Sequence, residues 1–507
     1  MEEMSQNAPR QNWGDCQAKP TPTPPFFSTG KKELLYSALV LVLGWLLCNS
    51  ALFYGSNLGF ALFSGASILC VAVYLFSIGH KPTAYSAALL VLCLVITGGF
   101  ARADDSFVEF VLFCFLGVGA NLSLCLQARQ NRFAPGSVCS LLDGPRTLFG
   151  LGIGKLSESF RGLKQAFRRS GSVGKKSGAV LLGLGIALVL LCILIPLLTS
   201  ADAAFSGLID QLPQWDMGEL VTSAIFGTGL ACMLYTRGVA LGHTANAGAA
   251  AKKERKSIHP LTANTALVAV CLVYLVYLFS QLAYFSGGFA GILPQGYTLA
   301  EYARRGFFEM GWLCAINLSM IALSVGLVSR RDNAPLSTRL LCLFIGIVTL
   351  FLVAAASAKV ILYIDSYGLT RLRVLTEVIM IFVGITTLLV TVWLFLPKLP
   401  YMKAVLLVGL AMGAVVIWAD VDTVVARYNV TAYQSGAMET IDVGYLGRLG
   451  SGAVPYLHAL TGSEDAAVAE EAKACLEGYF VYHYEDFRGW NYAHSAAEKL
   501  LQPYQKE

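Results

Sequence analysis

From residue 34 to residue 419 the chain runs through apolar stretches of about twenty residues broken by short polar segments. A helix that crosses a membrane needs about 20 consecutive apolar residues, whereas barrel strands alternate apolar and polar positions. These stretches do not alternate, so the pattern predicts helices. Eleven spans are expected, over 34–54, 58–79, 84–100, 106–126, 178–198, 220–241, 263–285, 307–328, 340–362, 374–396 and 404–419. Residues 1–33, with the proline-rich PTPTPPFF, predict a disordered arm. The first apolar run begins too far from Met1 and is too long for a secretory signal, so it predicts a retained span.

Beyond residue 419 the period changes. Val454, Leu457 and Leu460 share one helical stripe, and Val468, Ala472, Cys475 and Tyr479 share another. One such unit cannot bury its own core, so the tail, 420–507, is expected to pack on outer loops or on a partner. The predicted fold class is an all-α, polytopic helical bundle with a small extracytoplasmic helical C-terminal domain. Its parts are the arm 1–33, spans one to four over 34–126, a basic loop over 127–177, spans five to eleven over 178–419, and the tail. Composition agrees: 56% of residues are hydrophobic and 14% charged, against about 25% charged in soluble proteins.

Charge gives the orientation. Lys31 and Lys32, Lys81, the stretch Arg129–Lys176, Lys252, Lys253, Arg255 and Lys256, Arg330, Arg331 and Arg339, and Lys398 and Lys403 all fall in alternate loops. The intervening loops hold only Arg102, Arg304, Arg305, Arg371 and Arg373. Cytoplasmic loops are enriched in Lys and Arg, which predicts a cytoplasmic N-terminus and an extracytoplasmic C-terminus. Within the basic loop, Leu156, Phe160, Leu163 and Phe167 share a helix face flanked by Lys155, Arg161, Lys164, Arg168 and Arg169. Such a helix suits the headgroups of an anionic cytoplasmic leaflet. Topology accounts for this positive charge without nucleic acid.

Candidate chemistry is sparse. Ten of the 13 cysteines lie in apolar runs, no CxxC occurs, and neither HExxH nor a phosphate-binding glycine motif is present. No catalytic, cofactor or metal site emerges, which argues against an enzyme. His483, Glu485, Asp486 and His494 match no ligand spacing and read as a solvated surface. Residues 298–309 carry a capping-box spacing, Thr298 with Glu301, that predicts an extension of the eighth span.

The sharpest polar feature is the hairpin KVILYIDSYGLTRLRVLTE. Gly368 marks its bend, with Lys359 nine residues before and Glu377 nine after, at similar depth. Ionisable groups inside a membrane are costly unless paired. An ion pair of Lys359 with Glu377 is expected, assisted by Arg373, under a crown of Asp365, Tyr367 and Arg371. Its alternative reading is a proton- or ion-coupling site.

DSYGLTRLRVLTEV, EYARRGFFEM and IDVGYLGRLGSGAVPYL resemble signatures of an uncharacterised bacterial membrane family, domain of unknown function 4173, over roughly residues 80–500. The resemblance implies a bacterial cytoplasmic-membrane protein and brings no activity or site residue. Two functional classes follow from the spans and tail: a transporter- or flippase-like protein, and a sensor or assembly subunit that binds a protein partner through the tail.

Overall fold

The computed structural model describes residues 31–157, 190, 194, 197–201, 217–243, 258–288, 307–328, 334–480 and 486–504. Among the described residues there is no strand. Ten expected spans appear as helices: α1 (Lys31–Phe53), α2 (Leu58–Ser77), α3 (Ala84–Gly99), α4 (Ser106–Gln127), α5 (Met217–His243), α6 (Pro260–Gly288), α7 (Phe307–Val328), α8 (Leu336–Tyr367), α9 (Arg371–Phe395) and α10 (Tyr401–Ala419). All but α3 are long and apolar enough to cross a membrane, and α3, at 16 residues, is a shorter apolar helix. The chain is an integral membrane protein. The run 178–198 lies mostly outside the described residues, as does the expected extension over 298–306.

Local chemistry sets several helix ends. Thr83 and Ser86 form a reciprocal capping box at α3. Asp105 caps α4 by accepting the N–H groups of Phe107 and Val108 at 2.9 and 3.0 Å. Along the spans, large apolar side chains stand exposed, such as Leu69, Val73 and Phe76 on α2 and Leu272, Val276 and Phe279 on α6. In lipid these faces carry no desolvation cost; in water they would be an aggregation surface.

The bundle has two groups of helices. In the first, Tyr36, Val71, Leu75, Leu124, Leu234 and Leu241 form a core among α1, α2, α4 and α5. Arg237 of α5 is buried there and donates to Asn121 Oδ1 at 2.8 Å. In the second, α6–α9 pack through Leu267, Tyr274, Ile321, Ile345, Leu352 and Met380. Asn317 joins three of these helices: it accepts from Tyr274 at 2.6 Å and donates to Thr349 at 3.0 Å. Both asparagines bridge helices, one use of such residues where no water competes.

The tail follows as α11 (Val421–Gln434), α12 (Val454–Leu460), α13 (Ala466–Glu477) and α14 (Tyr492–Leu501). Val454, Leu457, Leu460 and Ala472 are fully buried, as the stripes require. Their core is continuous with that of α2, α3, α4 and α10. The tail therefore docks on one end of the bundle.

Candidate functional site: the junction of tail and bundle

Helix α8 has 32 residues, about 48 Å at 1.5 Å per residue, against about 30 Å of hydrocarbon. Its end and the start of α9 therefore have length to spare beyond the apolar layer. The bend between them needs Gly368, whose φ is +75° and whose missing Cβ would lie 2.7 Å from Asn429 Oδ1. Asn429 of α11 grips that bend. It accepts the Leu369 N–H at 2.7 Å and donates to the Leu369 carbonyl at 2.8 Å.

Arg371 opens α9 and anchors the junction. Its guanidinium pairs with both oxygens of Asp422 on α11 and lies 3.0 Å from Asp105 Oδ2 at the start of α4. The Arg371 backbone N–H donates to the Tyr445 hydroxyl at 3.0 Å. One planar fork thus ties α4, α9 and the tail together, a geometry lysine cannot reproduce. Asp422 is fully buried and also accepts the Gly450 N–H at 2.6 Å. Burial raises its carboxyl pKa, and the bonds from Arg371 oppose the rise.

Two further carboxylates sit beside this pair. Asp104 accepts the N–H and hydroxyl of Ser451, both at 2.8 Å, and lies 3.1 Å from His494 Nε2. Burial would raise its pKa, but the His494 and Ser451 hydrogen bonds hold it below the ordinary value. Asp420 links α10 to α11 with φ +53° and is 3% exposed. Its Oδ2 accepts the Thr423 hydroxyl at 2.5 Å, while its Oδ1 has no hydrogen-bond partner. Burial, with Asp422 and Asp104 nearby, raises its pKa to about 6. The arrangement can hold or release a proton. Among the described residues no His, Cys, Asp and Glu group is placed to hold a metal ion.

The hairpin residues predicted from sequence are distributed differently from the expectation. No ion pair joins Lys359 to Glu377 among the described residues, and Glu377 Oε1 is buried with no hydrogen-bond partner. Equal distance from a bend fixes depth but not azimuth, and nine residues are two and a half turns. Arg373 does not reach Glu377 either. It donates to the Tyr367 and Gly368 carbonyls and lies 4.0 Å over the Tyr363 ring, so it caps the end of α8. Of the crown, Arg371 enters the junction, while Asp365 and Tyr367 stay exposed. In the basic loop, Lys155 is half-buried just after a π-helical segment, Arg146–Ile153. Arg161, Lys164, Arg168 and Arg169 lie outside the described residues, as do His483 and Glu485. Sequence reasoning missed Asp104, Asp105, Asp422 and Asn429. The available signal was two acidic pairs, Asp104-Asp105 and Asp420/Asp422, in segments on the same side of the membrane as Arg371.

A polytopic helical bundle closed at one end by a small helical domain is the class of protein these features define. The chain belongs to the family described as Domain of unknown function (DUF4153), matched over residues 35–460. This corrects the resemblance to domain of unknown function 4173: the family is an uncharacterised one, as expected, but a differently numbered one. Its match begins near the start of α1 and ends with α12. No curated protein and no solved structure matches the chain.

Proposed function

We propose that the protein is a sensor or assembly subunit of a bacterial cytoplasmic membrane, with the N-terminus inside and the tail outside. In this reading a protein partner meets exposed acidic residues of the tail, Glu439, Glu464, Glu470 and Glu471. One observation carries it. The tail shares its core with α2, α3, α4 and α10, yet grips the α8–α9 hairpin of the other helical group through Arg371 and Asn429. Contact with the tail thus has a packed, charged connection to a pair of spans, the physical minimum for coupling. A second reading, a transporter- or flippase-like protein, draws on an apolar groove of about 570 Å³ between α6 and α7. Ala263, Trp312, Ile316 and Leu323 line it, a surface suited to an acyl chain.

Hydrogen exchange of the full-length protein in nanodiscs tests the coupling. Arg371→Lys loses the forked geometry. It is expected to raise exchange at hairpin amides 364–374 and tail amides 443–460 together, by about tenfold, or 1.4 kcal/mol. Faster exchange in only one of the two segments overturns the sensor reading. Lipid scrambling by proteoliposomes containing the wild type would favour the second reading.

A further inference from the structure

The turn that precedes α14 is built into the end of a membrane span. The Leu58 N–H, at the start of α2, donates to the Trp490 carbonyl at 2.9 Å. One residue further in, Gly59 lacks a side chain where a Cβ would stand 2.8 Å from Arg488 Cβ and 3.0 Å from its Cα. The backbone of Arg488 therefore lies directly on the first turn of α2, and only glycine permits that approach. Asn491 continues the seam, donating to Asn57 Oδ1 at 3.2 Å and to the Ala103 carbonyl at 2.9 Å.

Arg488 fixes the depth of this turn. Its side chain reaches down between α1 and α2. It donates to Asn49 Oδ1, inside the last turns of α1, and to the Tyr54 hydroxyl at 2.8 Å. Its guanidinium lies 4.2 Å over the Tyr54 ring, and Asp486 Oδ2 is 2.5 Å away. The charge is thus neutralised and hydrogen-bonded at the level where two spans enter the membrane.

Around this plugged arginine the rings point outward. Phe487 is 58% exposed, Trp490 43% and Tyr492 53%. Elsewhere in the described tail the exposed large hydrophobic side chains are Val424, Tyr428 and Phe480, and none lies between residues 429 and 479. The span ends that this part of the tail touches also carry exposed apolar side chains, Leu52 near the end of α1 and Phe107 and Phe110 at the start of α4.

We infer that residues 486–492 are a membrane-interface anchor. Phe487, Trp490 and Tyr492 lie in the headgroup–acyl boundary of the leaflet on the tail side, and Arg488 holds the turn at that depth. The occupant of the patch is lipid. Amphipathic rings favour this layer, where one edge meets acyl chain and the other meets water. The anchor seats the tail against the bilayer as well as against the helices. The inference does not depend on the sensor reading.

The test uses the full chain in phosphatidylcholine nanodiscs, with bromine near the upper acyl chain or with no bromine. Subtracting the emission of Trp490→Phe from that of the wild type isolates Trp490 among the seven tryptophans. More than half of this difference emission should be lost in brominated lipid, and aqueous acrylamide should quench it only weakly. Phe487→Trp in the Trp490→Phe background moves the reporter one turn and should respond alike. Glu470→Trp in the same background, on the exposed face of α13, should show the reverse: quenching by acrylamide and none by brominated lipid. Emission from Trp490 and from the Phe487→Trp reporter that is insensitive to brominated lipid overturns the anchor, and strong acrylamide quenching would then assign the patch to water and a protein partner.

Discussion

Asp420 carries the clearest local cost in the junction. A carboxyl buried with one oxygen unpartnered loses hydration that nothing restores, and this one sits at φ +53°, a conformation unusual for any residue but glycine and asparagine or aspartate. Its pKa is raised to about 6 from an ordinary 3.8. The folded state therefore binds a proton that the unfolded chain has already released between those values. The contribution of Asp420 to stability is greatest below about pH 4, declines as pH rises through 6, and stays lower above it. Asp420→Asn keeps an acceptor for Thr423 and removes the charge. At pH 8 it should stabilise the protein by on the order of 2 kcal/mol, and at pH 4 by close to nothing. Thermal unfolding of both proteins across that range measures the difference. An equal gain at both pH values would show that the charge is not the source of the cost.

Among the elements, the α8–α9 hairpin shows what a one-dimensional pattern can and cannot give. The apolar runs located both helices, and the glycine between polar residues located the bend. Depth was also readable, because rise per residue is constant. Facing was not, because it depends on how two helices rotate against α7, α10 and the tail. Glu377 accordingly makes no ion pair with Lys359, and its buried Oε1 has no hydrogen-bond partner. A double-mutant cycle tests the absence of the pair. Glu377→Gln with Lys359→Met should be additive to within about 0.5 kcal/mol. Unfolding in detergent provides the readout, and a coupling of about 1 kcal/mol or more would restore the ion pair. The junction itself was less legible. Arg371, Asp105 and Asp422 lie in three separated segments, each with a local explanation: a helix start, an N-cap, a polar residue after a span. Only the docking of the tail brings them together, and no periodicity reports it.

On the scale of the whole molecule, the described helices sort the charges onto two faces without reference to any charge rule. The tail marks one face, together with the end of α1, the start of α2, the end of α3, the start of α4 and the α8–α9 bend, all of which it touches. Helix α5 begins on that face, since Glu219 and Ser223 meet Asn49 near the end of α1. Lys32, Lys81, Arg129, Arg146, Arg339, Lys398 and Lys403 fall at the opposite ends of their helices or in the loops between them. Three arginines of the tail face, Arg371, Arg373 and Arg488, are engaged by carboxylates or carbonyls and so serve packing. Among the loops and helix ends that flank the spans, those opposite the tail carry more of the described Lys and Arg, while the tail adds Arg427, Arg448, Lys473 and Lys499 on its own face. By the positive-inside rule, the asymmetry of these flanking loops supports the proposed orientation, with the basic face in the cytoplasm. Alkaline phosphatase folds only outside the cytoplasm, so a fusion after Glu507 should be active and one in the loop at Lys252 inactive. The reverse pattern would place the tail in the cytoplasm. The junction and its aromatic turn would then face the inner leaflet, and the partner would have to be sought among cytoplasmic proteins.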